Sequence, residues 1–377
     1  MFYKFTERLH ELYGLLQDEQ SKEIFCARLA YDIEPSEPNI YRLMSFAFPY
    51  VANFREWDEL KQLNRENKKI ILYGCGHMGL RIARILQVAH IDFYGFCDRA
   101  AEKFPDGFRG KPVLSPDELV AHSDEYYVLL AVYTKETCNE IYEFLRDHNY
   151  PKNHIMDWTL DWVDNLISVL KDKQYFEFPE LYRKGTAFID GGCLNCDSSY
   201  KFAKSCEGVY SSIIAFEPDP SNYEVCCKIE QDDPLSNFQL INAGLSDKEG
   251  TAVFEALSTG SSHIVMDKLR IGQPKSDPDK ATTVRITTID NCVEERTVGF
   301  IKMDIEGAEF DALHGAQNTI RRDKPLLAIC VYHLRGDMVA IMDYLHQLVP
   351  EYRFLLRHYN INQLYPNETI LYASVDL

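Results

Sequence analysis

The sequence predicts an α/β protein in which two units of alternating strand and helix follow an N-terminal helical segment. The pattern shows first in residues 69–98 and again in 187–217, each of which reads as strand, glycine turn, helix, second strand and closing acid. It shows again in the C-terminal half, where apolar runs end in turn at Asp190, Glu217, Asn242, Asp304 and His333. Buried strands alternating with helices imply a parallel sheet covered on both faces. Ligands of such sheets sit at the carboxyl ends of the strands, where all five polar residues fall.

Residues 1–66 read as helical. Phe5, Leu9, Leu12, Tyr13, Leu15 and Leu16 recur close to helical spacing and give an amphipathic face that wants a partner. Pieces around 20–31, 38–50 and 55–64 continue the style, broken near Pro35 and Pro38. No chemistry is placed here; the segment either caps the next domain or offers a homo-oligomer surface.

Residues 67–158 form a Rossmann-like α/β domain. Lys69 to Tyr73 is a strand, Gly74-Cys75-Gly76-His77-Met78-Gly79 is a complete GxGxxG turn, and Leu80 to Leu86 begins a helix. Ile91 to Cys97 ends at Asp98, where an acid can meet a ribose. Tyr126 to Tyr133 is a further strand and Ile141 to Leu145 lies in a helix. Gly74, Gly76, His77, Met78, Gly79 and Asp98 are therefore a possible nucleotide site, although only one mononucleotide half is clear. Residues 159–184 are a helical connector, with Pro179 and Gly185 at the edge of the last domain, 185–377.

In that domain the parallel strands are 186–190, 213–217, 238–241, 300–303 and 326–332. Tyr352 to His358 and Thr369 to Ser374 pair as a terminal antiparallel hairpin, and Thr251 to Phe254 and Val284 to Thr287 are added extended pieces. Residues 255–281 read as a loop, whose Ser261 and Ser262 are candidates to close over a ligand. Glycines after the first strand let the backbone approach a ligand, and Glu217 is placed to accept both hydroxyls of a ribose. An adenosine-like ligand follows.

The motifs D-G-G-C-L-N-C-D (190–197), A-F-E-P-D-P (215–220) and F-I-K-M-D-I-E-G-A-E (300–309) resemble the successive signatures of the FkbM-type S-adenosylmethionine (SAM) methyltransferases, as do the later C-V-Y-H and L-R-H-Y segments. The likeness runs from about 186 to the C-terminus, roughly half the chain. It implies a class I methyltransferase fold, SAM as cofactor, and O-methylation of a sugar hydroxyl in glycan or nucleotide-sugar metabolism. The 67–158 domain, with its G-K-P-V-L-S-P-D-E-L run, resembles the nucleotide-sugar-binding front domain of some sugar-modifying enzymes.

Under that resemblance Asp190, Gly191, Gly192, Asn195 and Asp197 receive the amino-acid end of SAM. Asp190 could instead fix the glycine turn or cap the helix. Glu217, Pro218 and Asp219 hold the ribose, and Asn242 and Ala243 face the adenine. The sequence departs from the family at Cys196, where glycine is usual; a thiol there is expected to crowd the cofactor. Cys193-x-x-Cys196 also has redox or zinc spacing, but no second pair stands at zinc-ligand distance. Asp304 and Glu306 are the catalytic candidates, with His333 as general base because imidazole titrates near neutrality. Asp304, Glu306 and Glu309 could hold a divalent ion, without a complete ligand set. Glu309 could equally cap the following helix. Arg357, His358 and Tyr359 are a possible acceptor pocket.

Composition narrows the field. A net charge of −18 argues against a nucleic-acid partner, and no apolar run reaches the ~20 residues of a membrane span. The first residues lack the pattern of a secretory leader. The eleven cysteines lie scattered in apolar segments, as reduced thiols of a cytoplasmic protein would. Two other functions stay open. One is an NAD(P)-dependent oxidoreductase or epimerase centred on 67–158, for which a Tyr-x-x-x-Lys pair occurs only as Tyr200/Lys204 in the other domain. The second is a non-catalytic nucleotide-sugar-binding protein.

Overall fold

The computed structural model describes residues 2–255, 263–264 and 281–377. The chain divides into two compact units: 36–172 with 359–364, and 1–35 with 173–358 and 365–377. This division differs from the sequence boundaries at 66 and 184, because residues 1–35 pack with the C-terminal half.

The unit 36–172 carries a parallel sheet of five strands. They are β1 (Lys69–Tyr73), β2 (Gly95–Cys97), β3 (Val113–Leu114), β4 (Tyr126–Leu130) and β5 (Ile155–Met156), in the order β3-β2-β1-β4-β5. β3 and β5 have two residues each and leave no periodic signal in the sequence. The helix His77–Val88 follows the glycine turn. Ile71, Tyr73, Cys97, Val128, Leu130, Ile141 and Leu145 close one core cluster. Trp57 packs edge-on against Trp162, so both the helix Glu56–Arg65 and the helix Thr159–Lys173 belong to this unit.

The other unit holds a sheet of seven strands and a smaller sheet of four. In chain order the strands are β6 (Ala187–Gly191), β7 (Ser212–Phe216), β8 (Phe238–Ile241), β9 (Gly244–Leu245), β10 (Gly250–Glu255), β11 (His263–Ile264), β12 (Ala281–Thr287), β13 (Val298–Met303), β14 (Leu326–Cys330), β15 (Arg353–His358) and β16 (Thr369–Ser374). The large sheet runs β15-β16-β14-β13-β6-β7-β8, with β16 antiparallel to both of its neighbours. Counted within that sheet, the order is 3-2-1-4-5-7-6, the class I methyltransferase arrangement. β6, β7, β13 and β14 are buried along their whole length, which is why they read as unbroken apolar runs. Phe188 stacks on Phe202 with ring centroids 4.2 Å apart and meets Phe300 at 5.0 Å, fixing the helix Asp197–Ser205 to the sheet.

The N-terminal helices complete this unit. Leu15–Gln17 runs beside β15: Gln17 N donates to Phe354 O at 3.0 Å and Phe354 N to Leu15 O at 3.1 Å. In the helix Glu19–Ile33, the fully buried Arg28 donates to Val331 O and pairs with Asp32 at 3.1 Å. Leu12 and Leu16 of the apolar face are buried, as are Ile24 and Phe25 of the next helix. Among the described residues no helix is long and apolar enough to cross a membrane. All eleven cysteines are free thiols. Ser261 and Ser262 lie outside the described residues.

Candidate active site

The first part of the site is the turn after β6. Gly192 has φ +74°, and a Cβ there would stand 2.0 Å from Asp304 O, so only glycine lets the turn cross the end of β13. Gly192 N and Cys193 N both donate to Phe216 O at 3.1 Å, so these N–H groups brace the turn. Asp190 is fully buried: one oxygen accepts from Ser198 Oγ and Ser199 Oγ at 2.6 and 2.7 Å, and the other pairs with Lys302 Nζ at 3.2 Å. Lys302 also donates to Gly191 O and Gly192 O at 3.1 and 2.7 Å. Burial works against the charge on Lys302, yet Asp190 and Asp304 raise its pKa. Asp190 therefore braces the turn and the start of the helix. A lysine inside an otherwise apolar central strand was the sequence signal for Lys302.

Glu217, just past β7, is 5% exposed. It accepts from Leu194 N at 3.0 Å and from Asp219 N at 2.9 Å. Burial raises its pKa to about 7, opposed by those two N–H bonds. Asp219 accepts from Ser221 N at 2.9 Å and caps the helix Pro220–Asp232. Asn242 is exposed and donates to Glu217 O at 2.8 Å, while Ala243 beside it is buried. Asn195 accepts from Asp197 N at 3.3 Å, and Asp197 opens the next helix at the surface.

Cys196 stands where glycine is usual. It has φ +64°, the left-handed conformation that glycine adopts freely, and its side chain is turned inward with the residue 1% exposed. The sulfurs of Cys193, Cys196 and Cys226 all lie within 4.8 Å of one another. Cys226 comes from the helix Pro220–Asp232, so the fold supplies a third thiol that spacing alone did not.

The second part lies past β13 and β14. Asp304 accepts from Tyr175 OH at 2.6 Å and from Tyr332 OH at 3.2 Å. His333 stands 2.9 Å from Glu309, 3.5 Å from Asp304 and 3.6 Å from Glu306. Burial disfavours its charge, but Glu309, Glu306 and Asp304 together push its pKa up to about 10. His333 is thus an imidazolium at neutral pH, which corrects its reading as the resting general base. Burial also opposes the charge on Asp304, yet His333 and Lys302 hold it below the usual carboxylate range. Its side chain keeps 26% of its surface open, against 14% for Glu306 and 0% for Glu309. Glu309 accepts from Ile305 N at 2.9 Å, across the turn Glu306–Gly307, whose φ values are +56° and +97°. Donor atoms of Asp304, Glu309 and His333 lie within 4.8 Å of one another and could receive a divalent ion. Tyr175 escaped notice in the sequence because it acts from the connector, 129 residues before Asp304.

The two parts adjoin: Asp304 N donates to Gly191 O at 3.0 Å. Arg357 does not join them. Its guanidinium is buried in ion pairs with Asp18 at 2.6 Å and Glu177 at 3.2 Å, and it ties the N-terminal helix to β15. His358 lies beside Thr369 Oγ1 at 2.9 Å, while Tyr359 belongs to the unit 36–172 and packs there on Tyr50. In the unit 36–172, Gly74 has φ +128°, Gly79 approaches Gly74 O, and Gly76 faces open space. Asp98 accepts from Cys75 N at 2.8 Å and Ala100 N at 2.9 Å; His77 is exposed and Met78 buried.

Residues 191–358 match the family model of the methyltransferase FkbM domain. Among solved structures, the chain is similar to the methyltransferase FkbM from Methylobacillus flagellatus KT at 18% identity and a TM-score of 0.43, over 94% of this chain and 99% of that one. It is also similar to an rRNA methylase from Streptococcus thermophilus at 14% identity and a TM-score of 0.33, over 52% and 90%. The SAH-bound methyltransferase PaMTH1 from Podospora anserina is a third, at 11% identity and a TM-score of 0.28, over 64% and 97%. No curated protein matches the sequence.

Proposed function

We propose that this chain, whose C-terminal half carries an FkbM methyltransferase domain, transfers a methyl group from SAM to a hydroxyl of a small-molecule or glycan acceptor, a sugar before others. The observation that carries this reading is the clasp of Glu217 on the turn after β6: its carboxylate bonds Leu194 N and Asp219 N. That clasp sits beside the buried Asp190–Lys302 pair. In this reading Glu217 accepts the two ribose hydroxyls and the turn 191–195 receives the amino-acid end. Asn242 and Ala243 border the adenine.

Methyl transfer is an in-line attack on the sulfonium carbon, so alignment and removal of one proton are what the chain must supply. Asp304, open to its surroundings, takes the acceptor hydroxyl's proton, and the His333 imidazolium balances the charge of Asp304, Glu306 and Glu309. Tyr175 and Tyr332 hold the Asp304 carboxylate in place through their hydroxyls. If a divalent ion is held by Asp304, Glu309 and His333, His333 would give up its imidazolium proton to ligate it, and the ion would supply the positive charge that lowers the acceptor hydroxyl pKa.

Calorimetric titration with SAM tests the cofactor, repeated on Glu217→Ala. Binding to the wild type that the variant loses supports the reading; no binding to the wild type removes it. Asp304→Asn should then abolish transfer while SAM still binds. A second reading attaches to the unit 36–172, where an open Gly76 and exposed His77 begin a helix beside Asp98. There a phosphate-bearing nucleotide or nucleotide sugar would bind without chemistry, and titration with UDP-sugars and NAD(P) tests it.

A further inference from the structure

We infer that Cys193, Cys196 and Cys226 form a closed three-thiolate site for a thiophilic metal ion, with Zn2+ the favoured occupant. The three residues are 2%, 1% and 0% exposed, and their sulfurs lie within 4.8 Å of one another. Cys193 Sγ and Cys226 Sγ are 3.9 Å apart. Sulfurs about 2.3 Å from a tetrahedral zinc stand about 3.8 Å apart, whereas a disulfide requires about 2.05 Å. The Cys193–Cys226 edge therefore already has the length of a metal thiolate, and Cys196 Sγ lies within 4.8 Å of both. Leu194 O, 3.1 Å from Cys226 Sγ, is an oxygen beside the cluster for the fourth position.

The backbone points the same way. Cys196 holds φ +64°, a conformation costly to any side chain, and in it the thiol meets partners from two different elements. Around the sulfurs lie Ala215, Tyr200, Phe238 and Leu240, an apolar shell that keeps water out, as structural metal sites require. Divalent zinc leaves less uncompensated negative charge on three thiolates than a monovalent ion, and this favours it in such a shell. On binding, three Zn–S bonds form and the three thiol protons pass to solvent.

The ion would join the turn that carries Leu194 to the helix that starts at Pro220, and so brace both sides of the Glu217 clasp. This consequence, a tighter hold on SAM when the metal is bound, rests on the proposed function; metal binding itself does not.

The experiment uses the full chain, reduced and stripped with a chelator, then titrated with Co2+ and with Zn2+. Thiolate-to-cobalt charge-transfer absorption should appear with one metal per chain, and elemental analysis after dialysis should find one zinc. An ion at Asp304, Glu309 and His333 would not give that absorption, so the two sites are told apart. Cys226→Ser and Cys196→Gly should each lose the band and the zinc while circular dichroism stays that of the wild type. The site is disproved if the folded, reduced wild type shows no thiolate–cobalt band, or if the band survives in both variants. Alkylation and mass spectrometry that find these thiols joined as a disulfide in the purified protein disprove it as well. SAM titration then separates the readings: zinc bound without SAM binding removes the proposed function alone, and SAM binding without zinc removes this site alone.

Discussion

The chain builds the same turn twice. After β1, Cys75 N donates to Asp98 at 2.8 Å; after β6, Leu194 N donates to Glu217 at 3.0 Å, and both pairs are 23 residues apart in sequence. Each acid also accepts from the N–H two residues beyond itself, Ala100 and Asp219. What differs is the neighbouring strand. Leu72 of β1 lies in register with Leu129 of β4, whereas Asp190 of β6 lies in register with Lys302 of β13. β4 runs on into Ala131 and Val132, while β13 runs on into Asp304 and Glu306. A glycine turn with a clasping acid thus occurs in both units, and among the described residues only the second adjoins the charged Lys302, Asp304 and Glu306.

The register difference gives the largest expected effect. Lys302→Met leaves Asp190 charged and buried without its partner, at a cost of about 3–5 kcal/mol. Leu129→Met, the matching change in the first unit, should cost less than about 1.5 kcal/mol. Urea unfolding of both variants measures the gap. Asp190→Leu combined with Lys302→Leu should recover part of the loss, since it removes both charges together. Equal costs for the two single variants would mean that the ion pair is not what distinguishes the turns.

The clasping acids come next. Glu217→Gln weakens charge-assisted bonds worth about 1.5–3 kcal/mol each, so SAM binding should fall ~10–150-fold. Asp98→Asn should leave it unchanged. Because burial lifts the Glu217 pKa to about 7, SAM affinity should also decline as pH falls below that value, by ~10-fold per unit at most. The Asp98→Asn protein should show the same pH profile as the wild type. A flat profile in the wild type would take the ribose away from Glu217.

His333, three residues past β14, carries the next effect. Its pKa is raised from 6.5 to about 10, so the stabilisation it contributes is complete below pH 6.5 and is lost as pH rises through about 10. Melting temperatures measured from pH 6.5 to 10 should fall for the wild type and fall less for His333→Gln. Parallel slopes would show that the imidazolium is not held by its three carboxylates.

These contrasts also separate what the sequence could reveal from what it could not. Asp190, Glu217, Asn242 and Asp304 were legible because apolar runs of a buried sheet stop where the chain turns toward ligand or solvent. Tyr175 and Cys226 carry no such mark: each reaches the site from an element whose own pattern is that of a helix or a connector. Arg357 was misread for the same reason. Its partner Asp18 is 339 residues away, and nothing local distinguishes an arginine that ties a helix from one that meets a phosphate. The two-residue strands β3 and β5 were missed because they are too short to show a period.

The smallest expected effect lies inside the turns themselves. In the first, the positive φ is taken by Gly74; in the second, Gly192 takes it at +74° and Leu194 and Cys196 add +54° and +64°. Cys196→Gly relieves about 1–2 kcal/mol of left-handed strain, but loses a buried side chain and adds about 0.5–1 kcal/mol of unfolded-state freedom. In the chelated protein these should nearly cancel, leaving stability within about 1 kcal/mol of the wild type. Zinc should then part the two proteins, raising the melting temperature of the wild type and not that of the variant. An equal rise in both would show that the ion binds elsewhere, and the cysteine in the turn would then be only a tolerated substitute for glycine.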